Sequence, residues 1–248
     1  MRVQCYERSL QRSHTSLTRD DRPRVFSMAG REWDLLDEVF APVYSPSTAT
    51  AIGFLGLAGG GASEPVVPSS EPPLSGGAFL EIGCGSGVIA VLGALAGCPR
   101  VVAADISRPA VRNTALNAER HGVRDRLAAV HSDLFSGLGG ERFDTVFWSS
   151  NYVRAPDTYT YGSIHEAAYV DPGYRTHRRF LAEAPHAVTG NGRVLLHFSD
   201  RGDVDRLHEI AAECGRTLST VARELMVEGE YGSEPVEHML LEVAVANG

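Results

Sequence analysis

The sequence predicts an α/β fold with a mostly parallel sheet that is covered by helices on both faces. From residue 78 onward, short apolar strand patterns alternate with helical patterns, as in repeated βαβ units. The first strand runs directly into a glycine-rich turn, and two strand patterns near the end of the chain suggest an antiparallel hairpin at the sheet edge. A chain of 248 residues has room for one large domain and a small appendage.

The individual elements follow from the spacing of apolar residues and from the turn residues between them. Strands are predicted over residues 78–82, 100–105, 127–131, 143–148, 192–198, 218–227 and 236–245. Helices are predicted over residues 88–96, 109–119, 174–188 and 204–214. Together these elements form a predicted domain over residues 78–248.

Three shorter segments precede this domain. Residues 1–27 are rich in arginine and lack a periodic apolar face, so we expect a flexible N-terminal extension; a basic arm for an acidic partner is the alternative. Deletion of residues 1–24 is expected to leave ligand binding and the melting temperature nearly unchanged. Residues 28–58 are expected to form a helical appendage that begins with a helix over residues 28–40, where Trp33, Leu36, Val39 and Phe40 repeat at helical spacing. Gly, Pro and Ser dominate residues 59–77, which predicts a linker or loop.

Composition narrows the classes of function. The chain has 31 acidic and 23 basic residues, all of the latter arginine, and its net charge of −8 argues against a nucleic-acid-binding protein. No apolar run is long enough to cross a membrane, and the first 30 residues hold no secretory signal. The four cysteines and nine histidines show no metal-ligand spacing. We therefore expect a cytoplasmic protein without a metal, and the missing lysine suggests the coding bias of a bacterial genome.

The glycine-rich turn is the strongest signal for function. Glycines at 83, 85 and 87 follow the predicted strand that contains Glu81, and they permit a tight turn and a close approach of a ligand to the backbone. A dinucleotide site would have the spacing G-x-G-x-x-G, but Val88 stands at its third glycine position. A pyrophosphate ligand is therefore disfavoured, and a turn that binds nothing is the alternative.

Acidic residues end the next two predicted strands. Asp105 closes the strand over residues 100–105, where a carboxylate can accept hydrogen bonds from both hydroxyls of a ribose. Asp133 follows the strand over residues 127–131. Either aspartate alone could be a turn or helix-capping residue. Since ligands of open α/β sheets bind outside the carboxyl ends of the strands, the turn and both aspartates lie where a ligand is expected.

The pattern E-x-G-x-G-x-G resembles the first motif of the class I S-adenosylmethionine-dependent methyltransferases. The resemblance implies a Rossmann-like fold with a seven-stranded, mostly parallel sheet and an antiparallel edge strand, and it implies S-adenosyl-L-methionine as the cofactor. It also implies that Asp133 meets the adenine amino group. The cofactor-binding residues that we predict are Thr50, Glu81, Gly83, Cys84, Gly85, Gly87, Asp105, Ile106, Asp133, Leu134 and Ser149.

The end of the fourth predicted strand resembles a second motif of this family. The run from Phe143 to Tyr152 is similar to the F-D-x-[IV]-x-x-N-P-P-Y segment of the HemK-like group, which includes glutamine N5-methyltransferases of release factors. Residues 43–50 are similar to its V-Y-x-P-x-x-D-T segment, with Ala49 in place of the acid. The resemblance implies that Ser149, where the group has asparagine, accepts a hydrogen bond from the target NH₂, and that Tyr152 stacks on it.

The segment over residues 152–174 is predicted to bind the methyl acceptor. It holds five of the eight tyrosines and little periodicity, which is typical of a binding loop, although the tyrosines could instead only pack onto the sheet edge. His165 is a candidate general base because an imidazole titrates near neutral pH. The predicted catalytic residues are Ser149, Tyr152 and His165, and the predicted substrate-binding residues are Tyr44, Asn151, Tyr152, Tyr159, Tyr161, His165 and Tyr169.

These observations predict a methyltransferase that acts on a nitrogen of a small molecule or peptide, because the acidic balance disfavours nucleic acid. Three alternatives stay open. The acceptor could be a protein glutamine of the release-factor type, or the oxygen of a small molecule. The chain could also be a cofactor-binding subunit without catalysis.

Overall fold

The computed structural model describes residues 5–57, 74, 76–228 and 234–245. In chain order, the strands are β1 (Val25–Met28), β2 (Arg31–Asp34), β3 (Phe79–Ile82), β4 (Val101–Asp105), β5 (Leu127–His131), β6 (Phe143–Ser149), β7 (Arg154–Ala155), β8 (Asp171–Pro172), β9 (Val188–Ser199), β10 (Arg216–Glu228) and β11 (Glu234–Val245). The α-helices are α1 (Tyr6–Thr18), α2 (Ser47–Phe54), α3 (Val88–Leu95), α4 (Arg108–Arg120), α5 (Arg175–Glu183) and α6 (Val204–Glu213). Short 3₁₀ helices cover Pro42–Tyr44, Ile164–Ala168 and Ala184–His186.

Seven strands form the central sheet in the order β10-β11-β9-β6-β3-β4-β5. The pairs β3–β4, β4–β5, β3–β6 and β6–β9 are parallel, whereas β11 is antiparallel to both β9 and β10. The predicted α/β fold, its mostly parallel sheet and its antiparallel hairpin at the edge are confirmed. The β3 register pairs Ile82 with both Ala104 and Trp148, so the ends of β3, β4 and β6 meet at one edge, here called the carboxyl edge.

Helices and the N-terminal hairpin cover both faces of this sheet. On one face, α2, α3 and the β1–β2 hairpin bury a core that includes Phe54, Phe79 and Phe147. On the other face, α5 and α6 pack against the sheet through Phe180 and Leu207. All four residues of β3 are buried, which explains why this central strand reads as an unbroken apolar run apart from its glutamate.

The helix predicted over residues 28–40 is wrong, because this segment begins with the β1–β2 hairpin. Ala29 and Gly30, at φ angles of 49° and 68°, form the two-residue turn that such a hairpin requires. Trp33 is fully buried in the hairpin, and its indole N–H donates to the Met28 carbonyl oxygen at 2.9 Å. The apolar residues of this segment are spaced as in a helix because several of them are buried against the rest of the structure, and not because the segment is helical. Within residues 28–58, the α-helix that the structure describes is α2.

The expected flexible extension over residues 1–27 also differs from the structure, which places α1 there and packs it on the rest of the chain. Ser9, Ser13 and Ser16 are its fully buried residues, and the partly buried Tyr6 and Leu10 pack against the core, so few apolar residues mark its inner face in the sequence. Ser13 Oγ lies 2.7 Å from Nδ1 of His165, which belongs to the 3₁₀ helix at residues 164–168. Arg22 donates to the carbonyl oxygen of Ser16 at 2.8 Å and to that of Leu36 at 3.3 Å.

The linker predicted over residues 59–77 falls almost wholly outside the described residues, which resume at 74 and 76. Among the helices that the structure does describe, none combines the length and the apolar character that a bilayer span demands.

A substitution in α1 tests its docking. In Ser13→Ala the buried Nδ1 of His165 loses its partner, which typically costs about 1–3 kcal/mol. At about 2–4 °C per kcal/mol for a chain of this size, we expect the melting temperature to fall by about 2–12 °C. Thr18→Ala, at an exposed position of the same helix, should change it much less. Equal melting temperatures for the two variants would contradict a docked α1.

Candidate active site

The glycine turn lies at the carboxyl edge, between β3 and α3. Gly83, Gly85 and Gly87 have φ angles of 67°, 54° and 82°, which L side chains rarely adopt. A Cβ at Gly87 would come within 2.8 Å of the Cα of Thr114 in α4, whereas the space beside Gly85 is open. The turn is therefore held tightly against α4 and leaves room for a ligand beside its middle glycine.

Glu81 lies beneath this turn. Its side chain is buried, and Oε2 accepts the N–H of Ala90, in the first turn of α3, at 2.8 Å. Burial raises the pKa of this carboxyl well above its usual range, and the nearby charge of Asp105 adds to the effect. Cys84 is also buried, with its Sγ 3.2 Å from the Thr114 hydroxyl. Both residues shape the turn from inside, so a cofactor would meet the backbone of the turn and not these side chains.

Asp105 closes β4 directly beside the turn. Its Oδ2 accepts the Gly85 N–H at 2.9 Å and its Oδ1 accepts the Ser107 N–H at 2.8 Å. Burial raises the pKa of this carboxyl, although both backbone donors oppose the shift. Each oxygen keeps a second lone pair, so the carboxylate can still accept two hydroxyl protons. The Ile106 side chain beside it is 45% exposed. This corner can therefore offer hydrogen-bond acceptors to a ribose and an apolar surface to the group that the ribose carries.

The other predicted cofactor residues are placed differently. Asp133 is at the carboxyl edge, but both its oxygens accept from Nη1 of Arg179 in α5, at 2.9 and 2.8 Å. Leu134 beside it is buried, with a φ of 51°. The Thr50 hydroxyl donates to the sulfur of Met226 at 2.7 Å and so joins α2 to β10. The structure brings Asp105 and Ile106 to the glycine turn, uses Thr50 for packing, and engages Asp133 in an ion pair.

The segment after β6 keeps a defined shape without prolines. The Asn151 side-chain NH₂ donates to the carbonyl oxygens of Ala167 at 2.7 Å and of Val170 at 2.9 Å. The Tyr152 carbonyl oxygen accepts the Tyr174 hydroxyl at 2.6 Å. Ser149 Oγ lies 3.0 Å from Nδ1 of His197 in β9. Side-chain hydrogen bonds thus replace the stiffness that two prolines would supply.

Tyr152 is largely buried at this end of the sheet. Its ring packs edge-on against Phe198 and against His238 of β11, with centroids 6.2 Å apart in both pairs. The Tyr152 ring thus lies beside the strand end that carries Ser149, and its stacking on an acceptor stays a prediction.

The tyrosines of residues 152–174 are used mainly within the loop itself. The Tyr159 hydroxyl donates to Glu166 at 2.8 Å, and burial raises the Tyr159 pKa to about 12. The Tyr161 hydroxyl donates to the Val170 carbonyl oxygen at 3.1 Å, and Tyr169 is buried against Phe40. These contacts match the packing alternative better than direct contact with an acceptor.

Tyr44 belongs to the N-terminal segment and lies under the Arg19 guanidinium, 4.8 Å from its ring centroid. Its hydroxyl is buried without a hydrogen-bond partner in the described part of the chain.

The position of His165 does not fit the predicted general base. The ring is buried and held by Ser13 of α1. Burial lowers its pKa to about 4, with the charge of Arg22 as a second cause. The imidazole is thus neutral near pH 7 and anchors α1 to the loop.

Sequence reasoning missed two histidines next to Ser149. His197 and His238 are buried in β9 and β11, and Nε2 of His197 lies 2.9 Å from Nδ1 of His238. Alternation within the strand over residues 192–198 could have placed His197 on one face, but no local pattern names its partner. Within the described residues, no three potential metal-ligating side chains come together.

Comparisons with known proteins agree with this geometry. Residues 72–148 match the family described as Ribosomal protein L11 methyltransferase (PrmA). A bifunctional methyltransferase of Rickettsia felis is 27% identical over 156 residues, which are 59% of this chain and 29% of that protein. A ribosomal protein uL3 glutamine methyltransferase of Burkholderia pseudomallei is 29% identical over 154 residues, 56% of this chain and 50% of that protein. The chain thus spans a third to a half of the length of these relatives.

Solved structures show the same fold at low sequence identity. Pyrococcus horikoshii TYW2 in complex with MeSAdo aligns over 90% of this chain and 71% of its own, at a TM-score of 0.54 and 15% identity. The Thermus thermophilus 16S rRNA N2 G1207 methyltransferase (RsmC), in complex with AdoMet and guanosine, aligns over 90% of this chain and 50% of its own, at a TM-score of 0.52 and 18% identity.

Removal of the Asp105 carboxylate tests the cofactor corner. A hydrogen bond to a charged group contributes about 1.5–3 kcal/mol, so Asp105→Ala should weaken S-adenosylmethionine binding about ten- to a hundredfold in calorimetric titration. Asp125 precedes the first residue of β5, at the end of that strand away from the carboxyl edge, so Asp125→Ala should bind the cofactor as the wild type does. Unchanged affinity in Asp105→Ala would remove this residue from the site.

The same carboxylate predicts a pH dependence. Protonation removes the charge and one acceptor, and the pKa of Asp105 is raised, so affinity should fall with decreasing pH earlier than for an ordinary aspartate. Titrations between about pH 7 and pH 5 should show this fall in the wild type and a flatter profile in Asp105→Ala. Equal slopes would contradict an ionised Asp105 at the cofactor.

The family match covers β3, the glycine turn, β4, β5 and most of β6, and these are the elements that bring Asp105 beside Gly85. The aligned structures share the sheet that creates the carboxyl edge. This unit of the chain is therefore a PrmA-type S-adenosylmethionine-dependent methyltransferase domain.

Proposed function

We propose that this methyltransferase modifies a side-chain nitrogen of a peptide or protein. The names of its relatives support such an acceptor, since they include ribosomal protein L11 and uL3 glutamine methyltransferases. The net charge of −8 supports it as well, because an acidic protein attracts basic polypeptide segments.

The observation that carries this proposal is the orientation of the Asn151 amide. Both atoms that its NH₂ group faces are carbonyl oxygens, so the group cannot be flipped without placing oxygen against oxygen. Its Oδ1 is consequently a fixed acceptor, buried and without a hydrogen-bond partner among the described residues. Leaving such an oxygen unpaired costs about 1–3 kcal/mol, which an N–H of the acceptor would offset.

This oxygen discriminates between classes of acceptor. An amide or amine offers an N–H that Oδ1 of Asn151 can accept, whereas a carboxylate offers only further oxygens. Ser149, two residues earlier, provides a second hydrogen-bond acceptor, its hydroxyl oxygen, at the end of β6. Together the two side chains favour nitrogen over a carboxylate oxygen.

In this proposal the glycine turn, Asp105 and Ile106 hold the cofactor, and the segment over residues 149–152 orients the nitrogen. The bound cofactor supplies an activated methyl group on a sulfonium. The protein contributes position, because an in-line displacement depends on alignment of the reacting atoms and needs no covalent intermediate with the chain. Tyr152 supplies an apolar ring surface that excludes water from one side.

A methylation panel tests the class of acceptor. The full chain is incubated with S-adenosylmethionine and with basic peptides that contain Gln, Asn or Lys, and separately with small amines, phenols, carboxylic acids and an oligoribonucleotide. Mass spectrometry then locates the added methyl group. Methylation of a peptide nitrogen is the expected result. Methylation confined to small molecules, to oxygen or to RNA, or cofactor binding without turnover, would overturn the proposal.

Truncation of Asn151 tests its role in orientation. Loss of one buried hydrogen bond should lower kcat/KM for the peptide about ten- to a hundredfold in Asn151→Ala. Cofactor affinity should stay within about threefold of wild type, because the side chain lies outside the glycine turn. Asn191→Ala, at an exposed position near the other end of β9, is the matched control and should keep full activity. If kcat/KM is unchanged in Asn151→Ala, this residue does not contact the acceptor.

A further inference from the structure

A chain of three polar side chains crosses the sheet behind the acceptor segment. Ser149 Oγ of β6 lies 3.0 Å from Nδ1 of His197 in β9, and Nε2 of His197 lies 2.9 Å from Nδ1 of His238 in β11. The three strands are neighbours in the sheet, and Leu240 of β11 is in register with His197. The chain therefore runs across the strands from the acceptor site into the core.

The surroundings of this chain are apolar. Both imidazoles are at least 99% buried, and the ring of Phe54 in α2 packs edge-on against His197 with centroids 5.5 Å apart. The far end is at Tyr152, whose ring contacts His238. Two linked histidines in such a place need a reason, because packing alone would be served by apolar side chains.

Burial lowers the pKa of His197 well below its usual range, and the adjacent His238 lowers it further. His197 is therefore neutral near pH 7, with one N–H and one lone pair. A neutral ring can accept from Ser149 and donate to His238 at the same time. By exchanging tautomers, His197 can pass a proton to His238 without itself becoming charged.

We propose that Ser149, His197 and His238 form a proton relay that carries away the proton lost by the methylated nitrogen. This inference rests on the proposed function, because the relay serves a nitrogen acceptor. As the N–CH₃ bond forms and the S–CH₃ bond breaks, the nitrogen must also lose an N–H proton. Ser149 is the catalytic residue that touches the acceptor, whereas His197 and His238 act through it.

The step balances in protons and charge. The proton leaves the nitrogen for Ser149 Oγ, and the hydroxyl proton of Ser149 moves to Nδ1 of His197. The proton on Nε2 of His197 then moves to Nδ1 of His238, which ends the step carrying one additional proton. His197 is neutral before and after, with its N–H exchanged between its two nitrogens. One net positive charge is then carried by His238, whose ring contacts that of Tyr152.

Nuclear magnetic resonance of ¹⁵N-labelled histidines tests the chain without any acceptor. Ser149→Ala removes one end of the relay, so we expect it to shift the ring nitrogens of His197 and, through it, those of His238. His177, which is bound to Asp171 on the other face of the sheet, is the internal control and should not shift. If the ring ¹⁵N shifts of His238 are the same in Ser149→Ala and in the wild type, or if the His197 ring is cationic at neutral pH, the relay is wrong.

Single-turnover kinetics separate the relay from a structural role. His197→Phe should slow methyl transfer about a hundredfold, within the usual contribution of general acid–base catalysis. His197→Asn can keep a hydrogen bond to Ser149 but offers nothing at the Nε2 position, so a relay predicts an equally slow variant. Near-wild-type rates in His197→Asn would show that His197 only positions Ser149. The solvent deuterium isotope effect on the wild-type step should change in both His197 variants.

Leu240→Ala is the matched control for destabilisation. Leu240 is buried and in register with His197, so its truncation opens a cavity beside His197 and removes none of the side chains of Ser149, His197 and His238. Its rate and isotope effect should match the wild type; a loss equal to that of His197→Phe would contradict the relay. The kinetics use whichever acceptor the panel identifies. If the two histidines respond to Ser149→Ala but the acceptor atom is oxygen, the proposed nitrogen acceptor is wrong and the hydrogen-bonded connection is retained. If a peptide nitrogen is methylated but the histidines do not respond, the proposed function is retained and the relay is wrong.

Discussion

The carboxyl edge depends on the junction between the turn after β3 and the end of β4, where the Gly85 N–H donates to the Asp105 carboxylate at 2.9 Å. This bond joins the turn after β3 to the end of β4 and fixes the carboxylate beside open backbone. The close approach of Gly87 to Thr114 holds the same turn from the other side. Since β6 is in register with β3, the acceptor segment begins at the same edge. Strand register thereby brings the predicted cofactor residues and the proposed acceptor segment to the same edge.

Buried polar contacts add to the apolar packing that attaches the N-terminal residues to the rest of the structure. The amides of Asn113 and Asn117 in α4 bind the backbone at Asp34, with distances between 2.8 and 2.9 Å. Ser13 and His165 join α1 to the loop that follows β6. Such contacts have strict geometry and cost free energy when one partner is lost. The N-terminal segment thus supports the acceptor loop, although its composition resembles that of a loose tail.

The segment after β6 shows how a motif can change while its shape is preserved. The family pattern that it resembles uses two prolines to stiffen the chain, and here Ser150 and Asn151 occupy those places. Their side chains bind carbonyl oxygens of His197, Ala167 and Val170. This exchange moves an amide group from the first motif position to the third. It also leaves Ser149 free to meet His197, a contact that couples the acceptor site to the core of the sheet.

The sequence by itself determined the α/β class, the order of strands and helices from residue 78, the glycine turn and the place of Asp105. Each of these is a local property, because positive φ angles, strand alternation and strand ends depend on adjacent residues. It could not separate a helix from a hairpin at residues 28–40, where burial produced a misleading apolar period. Only the tertiary structure decided that His165 anchors α1 and that His197 meets His238. These partners are 152 and 41 residues apart, and hydrogen bonds across such distances arise from packing and not from local sequence.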